Sequence, residues 1–138
     1  EDRGYRVLHD RRIPGSRANI DHIVVGRTGV YVVETKSWSG DVRVRDGEVR
    51  VAGRRSRVVE QVQRQADAVA VALPCVQITS VVCVHRADLP LRPVEVDGVA
   101  IVRPSNLVRR LTQGPTHLTA DDIDRLASEL DARLPSAA

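Results

Sequence analysis

Two apolar runs dominate the hydrophobic pattern, Ile20–Val25 and Val30–Thr35, separated by the short Gly26-Arg27-Thr28-Gly29 stretch. Both are rich in Val and Ile and too short for useful helices, so they predict two strands joined in a tight β-hairpin. With Arg27 and Thr28 at the turn centre, Gly26 faces Gly29, Val25 faces Val30, and Asp21 faces Glu34. Upstream, Tyr5–Ile13 alternates loosely and reads as a first strand, closed by the turn residues Pro14-Gly15-Ser16. Downstream, Trp38-Ser39-Gly40 reads as a turn into the strand Asp41–Arg45, which Asp46-Gly47 folds back onto Glu48–Ala52. These last two strands alternate Val with Arg or Glu, the pattern of a partly exposed hairpin with one wet face.

The period then changes. Arg54-Arg55-Ser56-Arg57 reads as a basic loop, after which Val58, Val59, Val62, Ala66, Val69 and Leu73 recur at helical spacing until Pro74. Val76–Val84 reads as a buried strand, His85–Pro93 as a loop, and Val99–Val102 as a short strand. Pro104-Ser105-Asn106 opens a helix to Thr112, stopped by Gly114-Pro115. Thr119 and Asp122 stand at capping spacing, ahead of a helix over Ala120–Leu134 that presents Ile123, Leu126, Leu130 and Leu134 on one face. This order predicts an α/β fold with a sheet of mixed direction. A chain of 138 residues is long enough for one domain, 1–138, with a real core.

Composition narrows the class. The apolar and charged fractions are those of a globular chain. There is no Phe, one Trp and two Tyr, so the core must be built from Val, Leu, Ile and Ala. No stretch approaches the roughly 20 apolar residues of a membrane span. No signal peptide is visible, and a start without Met is compatible with a domain cut from a longer, multidomain protein. Cys75 and Cys83 lack metal-ligand spacing and read as free, core-filling thiols in a reducing cytoplasm. Residues 41–65 carry a net charge of +3 and residues 118–138 a net of −3. A basic centre suits an anionic partner, although an ordinary mixed surface accounts for the same numbers.

The chemistry concentrates on the first hairpin. Two carboxylates directly opposite each other, Asp21 and Glu34, repel unless something neutralises them. A hard divalent cation does so, and Mg²⁺ usually takes one or two carboxylates plus water and substrate phosphate. Lys36, two residues beyond Glu34, shares its face. It is the single lysine among 21 basic residues. Lysine is a compact charge whose pKa shifts readily, whereas arginine stays charged and forked. The competing reading is a partly solvated strand end closed by a simple Lys–carboxylate salt bridge. His22, adjacent to Asp21, points to the opposite face and reads as a structural residue. His9, His85 and His117 are scattered without metal-ligand spacing.

Asp21, then Glu34-Thr35-Lys36, resembles the D…ExK signature of the restriction-endonuclease-like PD-(D/E)XK superfamily. More narrowly, IDHIVVGRTGVYVVETKSWSG resembles the central motif of the nuclease-related domain, or NERD, family. The resemblance runs from Gly4 through the helix after Val58, and more loosely to Leu111. It implies a mixed β-sheet core flanked by helices and a Mg²⁺- or Mn²⁺-dependent nuclease acting on nucleic acid, DNA before RNA. On that reading Asp21, Glu34 and the Thr35 carbonyl hold the metal and Lys36 assists the attacking water. Gln61 matches a glutamine that the family carries early in the helix; a solvated helix face accounts at least as well for Gln65 and Arg64. Arg54, Arg55 and Arg57 are the expected phosphate contacts. Family members often carry a further Glu in an N-terminal helix; this sequence starts at Glu1, just before the first strand, and Glu1 is not a convincing substitute. The rival reading is a non-catalytic nucleic-acid-binding module of a larger protein.

Overall fold

The computed structural model describes residues 4–137; Glu1 lies outside them. Eleven elements follow in the order β1 (Arg6–Arg12), β2 (Asn19–Gly26), β3 (Gly29–Arg45), β4 (Glu48–Val51), β5 (Arg54–Arg55), α1 (Val58–Ala72), β6 (Ile78–Asp88), β7 (Val94–Val96), β8 (Val99–Val102), α2 (Pro104–Thr112) and α3 (Ala120–Arg133). The main sheet runs β1-β2-β3-β6-β8-β7, and β4 and β5 extend from β3. The β3–β6 and β6–β8 pairs are parallel and the others antiparallel. A mixed, eight-stranded sheet with three helices is the α/β architecture expected, and it is consistent with a restriction-endonuclease-like fold.

The central hairpin has the anticipated register as far as His22–Val33, with Gly26 opposite Gly29 and Val25 opposite Val30, but the Asp21–Glu34 pair expected next is not part of the ladder. Two-residue turns favour this pairing because their twist matches that of the strands. Val25, Val30 and Val32 face a large core shared with α1 and α3, while Val24, Tyr31 and Val33 face a smaller one against Leu107 and Leu111 of α2. Strands covered on both faces account for the continuous apolar runs. Strict alternation would put Ile20 beside Val24, but Ile20 belongs to the large core with Ile23. The break falls at Asp21-His22, where neighbouring β1 holds Asp10 in the left-handed region (φ +48°).

Four other expectations change. Trp38-Ser39-Gly40 is not a turn: β3 runs on as one strand of 17 residues. Between the pairs Ser37–His85 and Gly40–Ala87, β3 advances three residues and β6 two, so β3 carries one extra residue. This bulge uses Gly40 at φ +93° and bends β3, which stays paired with β6 to Asp41 and runs on beside β4. His85 does not begin a loop, because β6 continues to Asp88 alongside the bent part of β3. The three-residue β7 lies in a segment read as irregular, and Arg54-Arg55 forms a short strand rather than a loop.

α1 buries Val58, Val62, Gln65, Val69 and Ala72 along one stripe. It stops at Leu73 because the residue before Pro74 is disfavoured from continuing a helix. α3 begins with a complete capping box: the Thr119 hydroxyl accepts from Asp122 N–H, and the Asp122 carboxylate accepts from Thr119 N–H. Arg6 and Arg11 of β1 pair with Asp124 and Asp131 of α3, holding the helix across the strand. No helix among the described residues is long and apolar enough to cross a membrane.

Candidate active site

Among the described residues, Glu34 is the one charged side chain that is buried. It stands mid-sheet on β3, between β2 and β6, and only 8% of it is exposed. A carboxylate removed from water needs strong partners. Two are present. Gln65 of α1 donates from Nε2 to Glu34 Oε1 at 2.7 Å, and the Lys36 ammonium lies 3.5 Å from Glu34 Oε2. Glu34 and Lys36 alternate with Thr35, so both leave β3 from the face that α1 covers. The Lys36 side chain remains 32% exposed, which leaves this end of the site open to solvent.

Asp21 stands on β2 next to the closing pair of the hairpin, one position beyond His22–Val33. Its Oδ2 accepts from Thr35 N–H and from the Thr35 hydroxyl, both at 3.2 Å. The carboxylate is therefore fixed against the residue between Glu34 and Lys36. Thr35 alternates with Glu34 and Lys36, so its hydroxyl ties Asp21 to the other side of β3, and each acid has its own protein partners. Among the described residues, no group of three or more His, Cys, Asp or Glu side chains is placed to hold a metal.

The remaining candidates separate. Gln61 opens α1 on an exposed position, and its backbone N–H donates to Arg57. Gln65, one turn later, is the glutamine that reaches Glu34. The helix pattern contains the signal for it: Gln65 falls on the buried stripe between Val62 and Val69, where a polar residue requires a polar partner. Its second amide atom, Oε1, is buried without a hydrogen bond among the described residues. Arg54, Arg55 and Arg57 are all exposed. Arg54 and Arg55 are neighbours on β5, so they leave from opposite faces. Arg55 pairs with Glu48 and lies 3.8 Å from Glu60.

His22 is a hydrogen-bonded residue of the sheet. It lies directly opposite His9, with Nδ1 atoms 2.8 Å apart and rings at right angles. One nitrogen must donate and the other accept, so the contact selects unlike tautomers. Both cysteines are free; burial pushes the Cys83 thiol pKa up, and Cys75 is exposed.

The sequence profile of the nuclease-related domain matches residues 1–85, more than half of the chain. One relative, an uncharacterised protein of Bacillus anthracis, is 44% identical over 43 residues, covering 29% of this chain and 20% of that protein. The match thus spans a fifth of the relative's length. No solved structure is a significant match. By the extent of the profile match, the chain belongs to the nuclease-related domain (NERD) family, a membership with which the PD-(D/E)XK superfamily assignment is consistent.

Proposed function

We propose that the chain is a metal-dependent nuclease that hydrolyses phosphodiester bonds, with DNA as substrate, at the Asp21–Glu34–Lys36 strand end. The observation that carries this reading is Glu34. A sheet-centre carboxylate held by a buried glutamine and a lysine is costly to maintain and serves no packing purpose, and such groups cluster at functional sites.

The donor set fits a small hard cation, Mg²⁺ or Mn²⁺. Asp21 and Glu34 offer carboxylate oxygens and Thr35 a main-chain carbonyl, all oxygen ligands. With two acids as protein ligands, water and substrate phosphate would complete the shell of such an ion, as is usual for Mg²⁺. When bound, the ion polarises the phosphate and makes water a better nucleophile. The protein residues do the rest. Thr35 holds the Asp21 carboxylate through two hydrogen bonds, and Gln65 holds that of Glu34 through one. Lys36, about a third exposed, aligns the attacking water through its ammonium N–H groups. Gln61, at the open end of α1, orients a phosphate oxygen. Arg54 and Arg57, which form no ion pair among the described residues, add phosphate contacts beside Arg55.

Nicking of supercoiled plasmid with Mg²⁺, Mn²⁺ or EDTA, run beside a gel shift in EDTA, tests the proposal. Nicking with either metal and none in EDTA is expected, and Glu34→Gln should abolish it. A chain that shifts DNA yet nicks nothing is a binding module instead.

A further inference from the structure

Beyond the Gly40 bulge, β3 runs antiparallel to β4, and β4 antiparallel to β5. The register sets Arg43 directly opposite Arg50, and Arg50 directly opposite Arg55. Three arginines therefore stand in one line across three strands. Directly opposite residues leave from the same face, with Cβ atoms about 4.5–5.5 Å apart, and like charges so placed repel. Arg45, two residues from Arg43, joins that face. The other face carries Val42 and Val49, buried in the core that α1 covers, so the arginines look outward on the side of the hairpin away from that core.

Acids temper the row without cancelling it. Asp41 lies 3.8 Å from Arg43, and Glu48 pairs with both Arg50 and Arg55. Glu60 reaches Arg55 from α1 at 3.8 Å. Four arginines still outnumber these partners. The central one is also incompletely satisfied: Arg50 Nε is buried and has no hydrogen bond among the described residues. A groove of about 770 Å³ borders the row, lined by Arg43, Arg45 and Arg50, by one acid, Asp41, and by the small residues Gly40, Ala52 and Gly53. Small residues at its floor let an extended chain approach the protein backbone.

The groove lies on the strand that carries the candidate active site. Lys36 and Arg43 are at most about 23 Å apart along β3, at roughly 3.3 Å per residue. One strand of a duplex places a phosphate about every 3.4 Å, so that span corresponds to about seven phosphates. We propose that the Arg43–Arg50–Arg55 row is a docking track for the phosphodiester backbone of a nucleic acid, gripping it several nucleotides from the Glu34–Lys36 site. Planar guanidinium forks match phosphate oxygens in pairs. An anion laid across the row relieves its repulsion. The choice of nucleic acid over other polyanions rests on the nuclease reading above.

The test is made in EDTA, where binding is read without cleavage. Fluorescence anisotropy of a labelled DNA duplex, titrated at several salt concentrations, compares the parent with Arg43→Thr/Arg50→Gln and with a charge-matched control, Arg17→Gln/Arg133→Gln. Losing two phosphate contacts should flatten the plot of log K against log salt by roughly two units, and the control should flatten it far less. Arg43→Glu is the folding safeguard. Opposite Arg50 it forms an attractive pair, so its melting temperature should equal or exceed the parent's while DNA affinity falls at least tenfold. Equal slopes for the row and control variants overturn the proposal, as do tight binding by Arg43→Glu or a parent that does not bind DNA. Competition by polyglutamate as strong as that by unlabelled DNA overturns the choice of nucleic acid. A parent that binds through the row but never nicks keeps this track and removes the nuclease reading. Nicking with row-independent binding does the reverse.

Discussion

Gln65 and Glu34 meet 2.7 Å apart beneath α1, an amide donor on a buried carboxylate. Hydrogen bonds to charged groups are among the stronger ones, and a buried charge left without its donor pays its desolvation unrelieved. Gln65→Leu should therefore destabilise the fold by about 2 kcal/mol in urea unfolding. Adding Glu34→Gln to it should recover part of that loss, because the stranded charge is gone. Unchanged stability in Gln65→Leu would show that the contact is incidental.

Gly40 is the joint between the site strand and the arginine-bearing hairpin. Its φ of +93° suits glycine, and a Cβ there would meet Ala52 Cβ at 3.3 Å. Gly40→Val should cost about 2 kcal/mol, since a β-branched residue is strained at positive φ and also crowds Ala52. Thermal unfolding measures it. A variant as stable as the parent would mean the bulge is not fixed by this residue.

What could be read from the sequence and what could not divides along physical lines. The β2–β3 register was legible because a two-residue turn between Val/Ile runs leaves one sensible pairing. The continuation of β3 through Trp38 and Gly40 was not, because a glycine in a bulge and a glycine in a turn look alike without the partner strand. β7 was missed for its length: Val94–Val96 is too short to show a period. At the site, the shared face of Glu34 and Lys36 followed from strand alternation, whereas the contact of Asp21 with Thr35 did not. Gln65 was passed over because a glutamine on a helix is usually solvated, and only the neighbouring valines of its stripe reveal the burial. The Arg43–Arg50–Arg55 row needed the pairing of β4 with β5, which a two-residue strand does not announce.

The two cysteines should behave differently towards a thiol reagent. Cys75 is exposed, whereas Cys83 is buried and its thiol pKa is raised by desolvation. A thiol-reactive chromophore should label one site at neutral pH, and the second only on unfolding. Rapid labelling of both in the native protein would contradict the burial of Cys83.

The α3 capping box makes a specific pH signature. The Thr119 backbone N–H foremost, then its hydroxyl and Arg125, hold the Asp122 pKa below its ordinary value. A lowered folded-state pKa means that ionised Asp122 stabilises the fold above the ordinary aspartate range, and that this is lost as pH falls through the folded value. The melting-temperature gap between the parent and Asp122→Ala should be full at pH 7 and close as pH falls below the ordinary aspartate range. A gap independent of pH would remove the charged cap from the account.

The most direct measurement of the central claim is the Mg²⁺-dependent nicking rate of Lys36→Arg beside the parent, both shown to be folded and to bind DNA equally in EDTA. A lysine that positions water with a compact ammonium is not replaceable by a larger, planar guanidinium. The account predicts a parent that nicks with Mg²⁺ and a variant slower by about 10²–10⁴-fold, the usual worth of such a role. Near-parental nicking by a well-folded Lys36→Arg would contradict it and leave Lys36 as a counter-charge to Glu34.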